Sequence, residues 1–308
     1  AFARYAAATG EGCYGTAARD ILHIIREHTG CNDAMRGFMG RLPPYTKHYR
    51  SVEHNIDMFA FARMLGAEEE KQSARTFVQH MFGQDDRYDH VYVVGTGDSR
   101  ACDTHIGHEP VAVDGQLWQL AAGVDTNEAH ISAALGFSLH QKDETAHGRA
   151  RLQGLWETDV DLIGNHGVGQ GETYYGFRFT NWGNGIQWEN TASGLIAMVR
   201  YRALYGEHYG VTTKINQARD SLKRLLTVYN SVPASVLGGN IDAWHRVRHQ
   251  ATYPGGSDTG IGWTYLRYPH MASTVWTGFA LMYQGADGDA IDDLANPYSA
   301  PATAVPQI

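Results

Sequence analysis

No apolar run in this chain approaches the roughly 20 residues that a helix needs to cross a bilayer, so no membrane span is expected. A basic stripe is lacking too: 25 Lys and Arg stand against 33 Asp and Glu, a formal charge of -8. Phosphate backbones are bound through such stripes, and a nucleic-acid partner is therefore not expected. Linker-like segments are missing as well. The 35 glycines are spread along the 308 residues, mostly where helices stop. That distribution predicts one domain over 1–308, with an irregular tail from Asn296 that carries Pro297, Pro301 and Pro306.

Cofactor motifs are incomplete wherever they begin. Gly95-Thr96-Gly97 follows a strand-like run but lacks the further glycine and the lysine of a phosphate loop. Cys102, Asp103, His105 and His108 are ligand types at close spacing, yet no second pair completes a tetrahedral zinc site. Asp287, Asp289, Asp292 and Asp293 depart from the spacing of a calcium loop. No metal and no other cofactor is expected. Cysteine is scarce, with three in all. In an oxidising compartment Cys13 and Cys31, which bracket a predicted helix, are the pair expected to close, leaving Cys102 over. The opening Ala1-Phe2-Ala3-Arg4 has no methionine, which fits a mature exported protein whose signal peptide has been removed. A secreted or periplasmic location is the expectation.

What the chain does have is helical period. Apolar residues recur at helical spacing over 17–28, 52–65, 70–82, 113–122, 128–135, 191–205, 212–229, 241–247 and 270–283. Two kinds of helix alternate. Those at 52–65, 113–122, 191–205 and 270–283 are apolar or small over most of their circumference, so protein covers both sides. Those at 70–82 and 212–229 carry charged stripes, such as Lys71 with Arg75 and Lys214 with Arg219, and should face water. Segments 90–94 and 173–179 are rich in aromatic and β-branched residues, as rim hairpins are. An inner helix followed by an outer one, several times over, predicts an all-α (α/α)6 toroid of helical hairpins with short β-hairpins on the rim.

The first turns of the inner helices carry the chemistry. Glu53 and Asp57 stand on one face of 52–65, with His54 and Asn55 beside them. Asp114 opens the next such helix, Glu189 the third, and His270 the fourth. One acid near a helix N-terminus needs no function, since the macrodipole alone stabilises it by about 0.3–1 kcal/mol. Repetition at intervals of roughly sixty to eighty positions is different, because parallel inner helices would bring these residues to one cavity. Two carboxyls facing a cleft, one protonated and one ionised, are what glycosidic cleavage requires. Trp118, Trp188, Trp263 and Tyr265 lie beside the acids or at predicted loop ends, where indole and phenol faces can stack on sugar rings.

Four segments together resemble the (α/α)6-barrel superfamily of six-hairpin glycosidases and related secreted bacterial proteins. They are Ser51 to Asp57, Val113 to Trp118, Gly185 to Ala192, and Tyr268 to Trp276 followed by Asn296-Pro297-Tyr298. The resemblance covers roughly residues 45–298 and implies a carbohydrate-active enzyme, here a glycoside hydrolase. Its one departure is the N-terminus, which is short for twelve helices; a degenerate hairpin or the 10–45 loop region would replace one.

By position, Glu53 is expected to donate the proton and Asp114 to activate water, probing an inverting geometry with carboxyls roughly 6.5–9.5 Å apart. Asp57, His54, Asn55, Trp118, Trp188, Glu189, Trp263, Tyr265 and His270 are expected to hold a carbohydrate substrate. Two other readings stay open at this point. A polysaccharide lyase on the same toroid would use His54, Asn55, Tyr265, Arg267 and His270. A non-catalytic carbohydrate-binding or structural module would keep the toroid without the chemistry.

Overall fold

The computed structural model describes residues 1–45, 48–140, 154–160, 173–226, 256–266, 268–283, 295–300, 305 and 306. The expected helix at 241–247, the end of the one at 212–229, Arg267 and the aspartates at 287–293 lie outside them. The described chain is all-α with short antiparallel hairpins. Its nine helices are α1 (Phe2–Thr9), α2 (Gly12–Thr29), α3 (Val52–Leu65), α4 (Glu68–His80), α5 (Val113–Ala122), α6 (Glu128–Leu139), α7 (Trp188–Tyr205), α8 (Val211–Leu225) and α9 (Met271–Met282). Three two-stranded sheets pair β1 (Gly95–Thr96) with β2 (Ile106–Gly107), β3 (Trp156–Val160) with β4 (Thr173–Phe177), and β5 (Gly256–Asp258) with β6 (Thr264–Leu266).

The helices sort into two layers. α3 packs on α5, α5 on α7 and α7 on α9; α4, α6 and α8 lie against α3, α5 and α7 respectively. Every residue of α5 is buried, and so is most of α7, as their apolar circumference predicts. Each fully buried Leu or Ile along this inner layer, such as Leu117, Leu120, Leu195 or Ile196, contributes about 1.5–3 kcal/mol. Gly66 and Gly123 end α3 and α5 in the left-handed conformation, at φ 69° and 68°, which glycine adopts without strain.

Extended residues just before the inner helices are stitched to neighbouring rim segments. Ser51 bridges Gly95, Ala112 bridges Thr180, and Gln187 bridges Phe177. These pairings hold the N-terminal ends of α3, α5 and α7 in one rim. The expected strand at 90–94 forms only the bridge from Tyr92 to Phe82. Val91, Tyr92 and Val93 are instead buried as a core wedge.

Three corrections concern the termini. The 10–45 region is only partly a loop: α2 fills 12–29, pairs with α1 just before it and touches α3, while 30–45 has no helix or strand. The tail from Asn296 has no helix or strand over 295–300, as expected, but it is not peripheral: Asn296 and Ser299 are fully buried. Asn296 Nδ2 donates to Ala121 O at 2.9 Å, while Arg63 donates to both Ala122 O and Tyr298 O. The unpaired carbonyls at the buried end of α5 are satisfied this way.

The third correction is the disulfide, which joins Cys31 to Cys102, while Cys13 is free and exposed. Cys13 lies in the first turn of α2 and Cys31 just past its last. A continuous helix of 18 residues rising about 1.5 Å each sets them some 27 Å apart. Bridged cysteines need Cα atoms within about 7 Å; Cys31 and Cys102 meet at 5.7 Å.

Candidate active site

Side chains from three inner helices converge where the stitched rim opens. Glu53 on α3 and Asp114 on α5 line one cavity of about 170 Å³, walled also by Val94, Phe179 and Ile261. No Lys or Arg lines that cavity among the described residues. Ser51 Oγ accepts the His54 amide at 3.1 Å and caps α3, which fixes the direction in which Glu53 leaves the first turn. Gln187 Oε1 accepts the Asn190 amide at 2.6 Å and does the same for Glu189 on α7.

The acids perturb one another. Burial, then repulsion from Glu53, pushes the Asp57 carboxyl up to about 7, against a lowering contact with the Tyr298 hydroxyl. Burial raises Asp114 well above the usual carboxylate range, with Glu53, Glu189 and Asp57 adding to it and the Gly115 amide, at 2.6 Å, opposing. Glu189 is raised by burial and by Glu53. Glu53 is thus the common neighbour of the other three. Asp57 is surrounded by protein, yet its side chain is reached by solvent.

Aromatic rings surround the acids. Trp118 donates its Nε1–H to Ser193 Oγ at 2.7 Å and stacks on Trp276 with centroids 5.6 Å apart. Tyr298 closes that group, 6.1 Å from Trp118 and 5.8 Å from Trp276. At the rim Trp263 is half-exposed against Tyr265 and Phe179, at 4.6 and 5.5 Å. The Tyr265 phenol is raised by burial and then by Glu189, Asp114 and Glu53, which sets it beside the cluster.

Glu53, Asp57, Asp114, Glu189 and Tyr265 are therefore brought together. The other expected residues are placed differently. Asn55 is buried with its amide spent on the Phe38 N–H and C=O, at 2.8 and 3.1 Å. His54 turns to Tyr49 and Gly40 on the same flank of α3. Trp188 is fully buried, edge-on to Tyr174. His270 caps α9 by accepting the Ser273 amide at 3.3 Å and stands edge-on to the Tyr265 ring, 6.0 Å away. Cys102 is spent in the disulfide, and Asp103 accepts from Ser99 and His105 within its own turn.

Tyr298 is the residue that sequence reasoning did not assign. Its phenol is raised by burial and then by Asp57, Glu53 and Asp114, so it faces all three acids. Its signals were an aromatic ring in a proline-rich tail and its place in the Asn296-Pro297-Tyr298 run of the resemblance. Its position depends on Asn296 and Arg63, 175 residues from Ala121 and 235 from Tyr298 in sequence.

No protein-family model matches the chain, and no curated protein sequence matches it. Among solved structures, a sialidase superposes over 76% of this chain and 22% of its own, with 11% identity and a TM-score of 0.43. The chain thus spans about a fifth of that protein's length, and a likeness of this size carries no weight for the fold or the reaction.

Proposed function

We propose that the protein is a glycoside hydrolase that cleaves a polysaccharide or oligosaccharide with a pair of carboxyl groups, Glu53 and Asp114, in an inverting reaction. The single observation that carries this reading is that both line one cavity, from different helices, beside an exposed aromatic rim. The environments divide the roles. Asp114, buried and raised, is the group suited to keep a proton for the leaving oxygen, and the more open Glu53 is the carboxylate that activates water. These roles are the reverse of those expected from position alone. Asp57, Glu189, Trp263 and Tyr265 would hold the sugar. A toroid of six hairpins formed as one domain, and export to an oxidising space, complete the proposal; the Cys31–Cys102 bridge is compatible with the latter. A uronate-cleaving lyase fits less well, since an anionic sugar would enter a cavity lined by acids and, among the described residues, by no Lys or Arg.

Release of reducing ends from a panel of α- and β-linked glycans tests the reading. Asp114→Asn and Glu53→Gln should each lower the rate on an active substrate by about 10²–10⁴-fold with folding intact. Activity that survives both substitutions within a few-fold would sink the assignment. Binding without product on any glycan would instead favour a carbohydrate-binding module.

A further inference from the structure

The wall of the cavity that holds Glu53 and Asp114 is more apolar than cleavage requires. Val52, Val94, Pro110, Phe179 and Ile261 line it. Its hydroxyl-bearing residues are already engaged: Ser51 Oγ accepts the His54 amide, Thr180 Oγ1 donates to Thr259 O at 2.6 Å, and Tyr92 donates to Asp125 at 2.8 Å. Carbonyls of the wall are engaged too, Val94 O by the Val52 amide at 3.1 Å and Phe179 O by the Val113 amide at 2.9 Å. Among the described residues of the lining, the two carboxyls are thus the side-chain groups left to meet a ligand, and Asp114 spends one oxygen on the Gly115 amide.

A plain sugar matches this inventory poorly. Nearly every ring carbon bears a hydroxyl, and hydroxyls pressed against valine, proline and isoleucine give up water without a replacement. The cavity is also small, about 170 Å³ against the roughly 300–1,000 Å³ of a site that encloses a whole small molecule, so part of one sugar unit fills it. Val94 and Ile261 stand 36% and 45% exposed on its wall, apolar surface that a ligand would take out of water. The substituent nearest to a cleaving pair of carboxyls is the one on C2, the carbon next to the carbon being cleaved.

We infer that this cavity receives the acetamido group of a 2-acetamido sugar. The inference rests on the sugar-cleft reading above and narrows it from glycans in general to N-acetylated ones. An acetamido group joins one N–H donor, which a carboxylate accepts, to one methyl, which an apolar wall covers. A C2 hydroxyl supplies the donor but leaves the wall wet. The methyl of a 6-deoxy sugar supplies the apolar contact from the far side of the ring oxygen, away from the carbon being cleaved. Val94 and Ile261 are the residues that discriminate.

The test is NMR titration of the whole chain with N-acetylglucosamine, glucose and 6-deoxyglucose, and with the three corresponding galactose-type sugars. One missing methylene in an apolar pocket costs roughly 10–200-fold, and a cavity open on one side sits at the low end, so each acetamido sugar should bind about tenfold more tightly than its parent. Its acetyl methyl should also take up the strongest saturation transfer from the protein. Val94→Ser combined with Ile261→Ser, both at exposed positions, should remove most of that preference with the melting temperature unchanged. Equal binding of parent and acetamido sugars would overturn the inference, and so would a preference that survives the double substitution. Tighter binding of the 6-deoxy sugars would put the methyl on C6 and overturn it too, as would no binding of either acetamido sugar in the millimolar range. Cleavage is read separately, as reducing-end release from N-acetylated glycans and unsubstituted ones of the same linkage. Selective binding without cleavage would sink the hydrolase reading and spare this one, while cleavage of the unsubstituted glycans at an equal rate would do the reverse.

Discussion

Two clusters of buried acid in this molecule have opposite characters. Asp125, at the far end of α5, accepts from Tyr92 at 2.8 Å, His130 at 2.9 Å, Gln79 at 3.2 Å and the Asn127 amide at 2.9 Å. Its carboxyl is held below the usual range: burial alone would raise it, but the bonds from Asn127, His130, Tyr92 and Gln79 together outweigh that. Asp57 and Asp114 are also enclosed by protein, but their neighbours are other carboxyls, and both are raised. Burial does not distinguish a structural acid from a working one; the inventory of partners does. Where every lone pair is met, the charge locks a corner of the fold. Where it is not, the protein holds a group that a ligand or a proton can still satisfy.

Arg50 is the cationic counterpart of Asp125, with most though not all of its groups met: its Nε and Asp33 Oδ2 lack a partner. It is fully buried, donates to Asp33 at 2.9 Å, to Arg36 O and to Asp103 O, and lies over the Phe77 ring. If charges met by donors and acceptors of the fold are structural, Arg50→Met should cost about 3–5 kcal/mol in urea denaturation, because Asp33 and two carbonyls lose their donor. A loss under 1 kcal/mol would break the comparison at its strongest point.

The bridge beside that hub ties the same loops. Cys31→Ser should lower stability by about 2–4 kcal/mol, since the closed loop spans 71 residues. Cys13→Ser should change nothing measurable. Equal effects of the two substitutions would mean that the pairing is otherwise.

The sharpest version of the comparison is a pair of pH titrations of stability. Asp125 is lowered in the fold, so its stabilisation is present above the unfolded value near 4 and lost as pH falls through the folded one. Asp125→Asn should therefore cost about 1–3 kcal/mol at neutral pH, and the difference from wild type should shrink on acidification. Asp57 is raised to about 7, so the wild type loses stability as pH climbs from about 4 to about 7. Asp57→Asn should be neutral near pH 4 and more stable than wild type above pH 7. Water reaches this side chain, and screening holds the gain to about 1 kcal/mol. Parallel curves for the two variants would erase the distinction.

Much of this arrangement was legible in the chain. Helical period and small-residue composition marked α3, α5 and α7 as inner helices, and the acids of their first turns were visible as a repeated placement; the same composition marked α9, but its Met271, Val275 and Met282 are exposed, so protein covers one side of it and not both. Helix limits shifted where a cap lay outside the apolar pattern: capped by Gln187, α7 starts at Trp188, three residues before Thr191. α1 escaped notice because eight residues with no side-chain cap offer too little period. Asn55 and His54 share the first turns of α3 with Glu53, but a helix turns 100° per residue, and they face another flank.

The sequence by itself determined the local facts: which of the longer segments coil, which of them are apolar over most of their circumference, and where acids recur in their first turns. Those depend on interactions within a few residues, so spacing and composition carry them. Only the tertiary structure decided which cysteines meet, which acids find donors and which find each other, and that Tyr298 from the tail faces Asp57 from α3. These outcomes depend on contacts between residues tens to hundreds of positions apart. Nothing in the local pattern of Asp125 or Asp57 states who the neighbour will be, and the neighbour sets the charge.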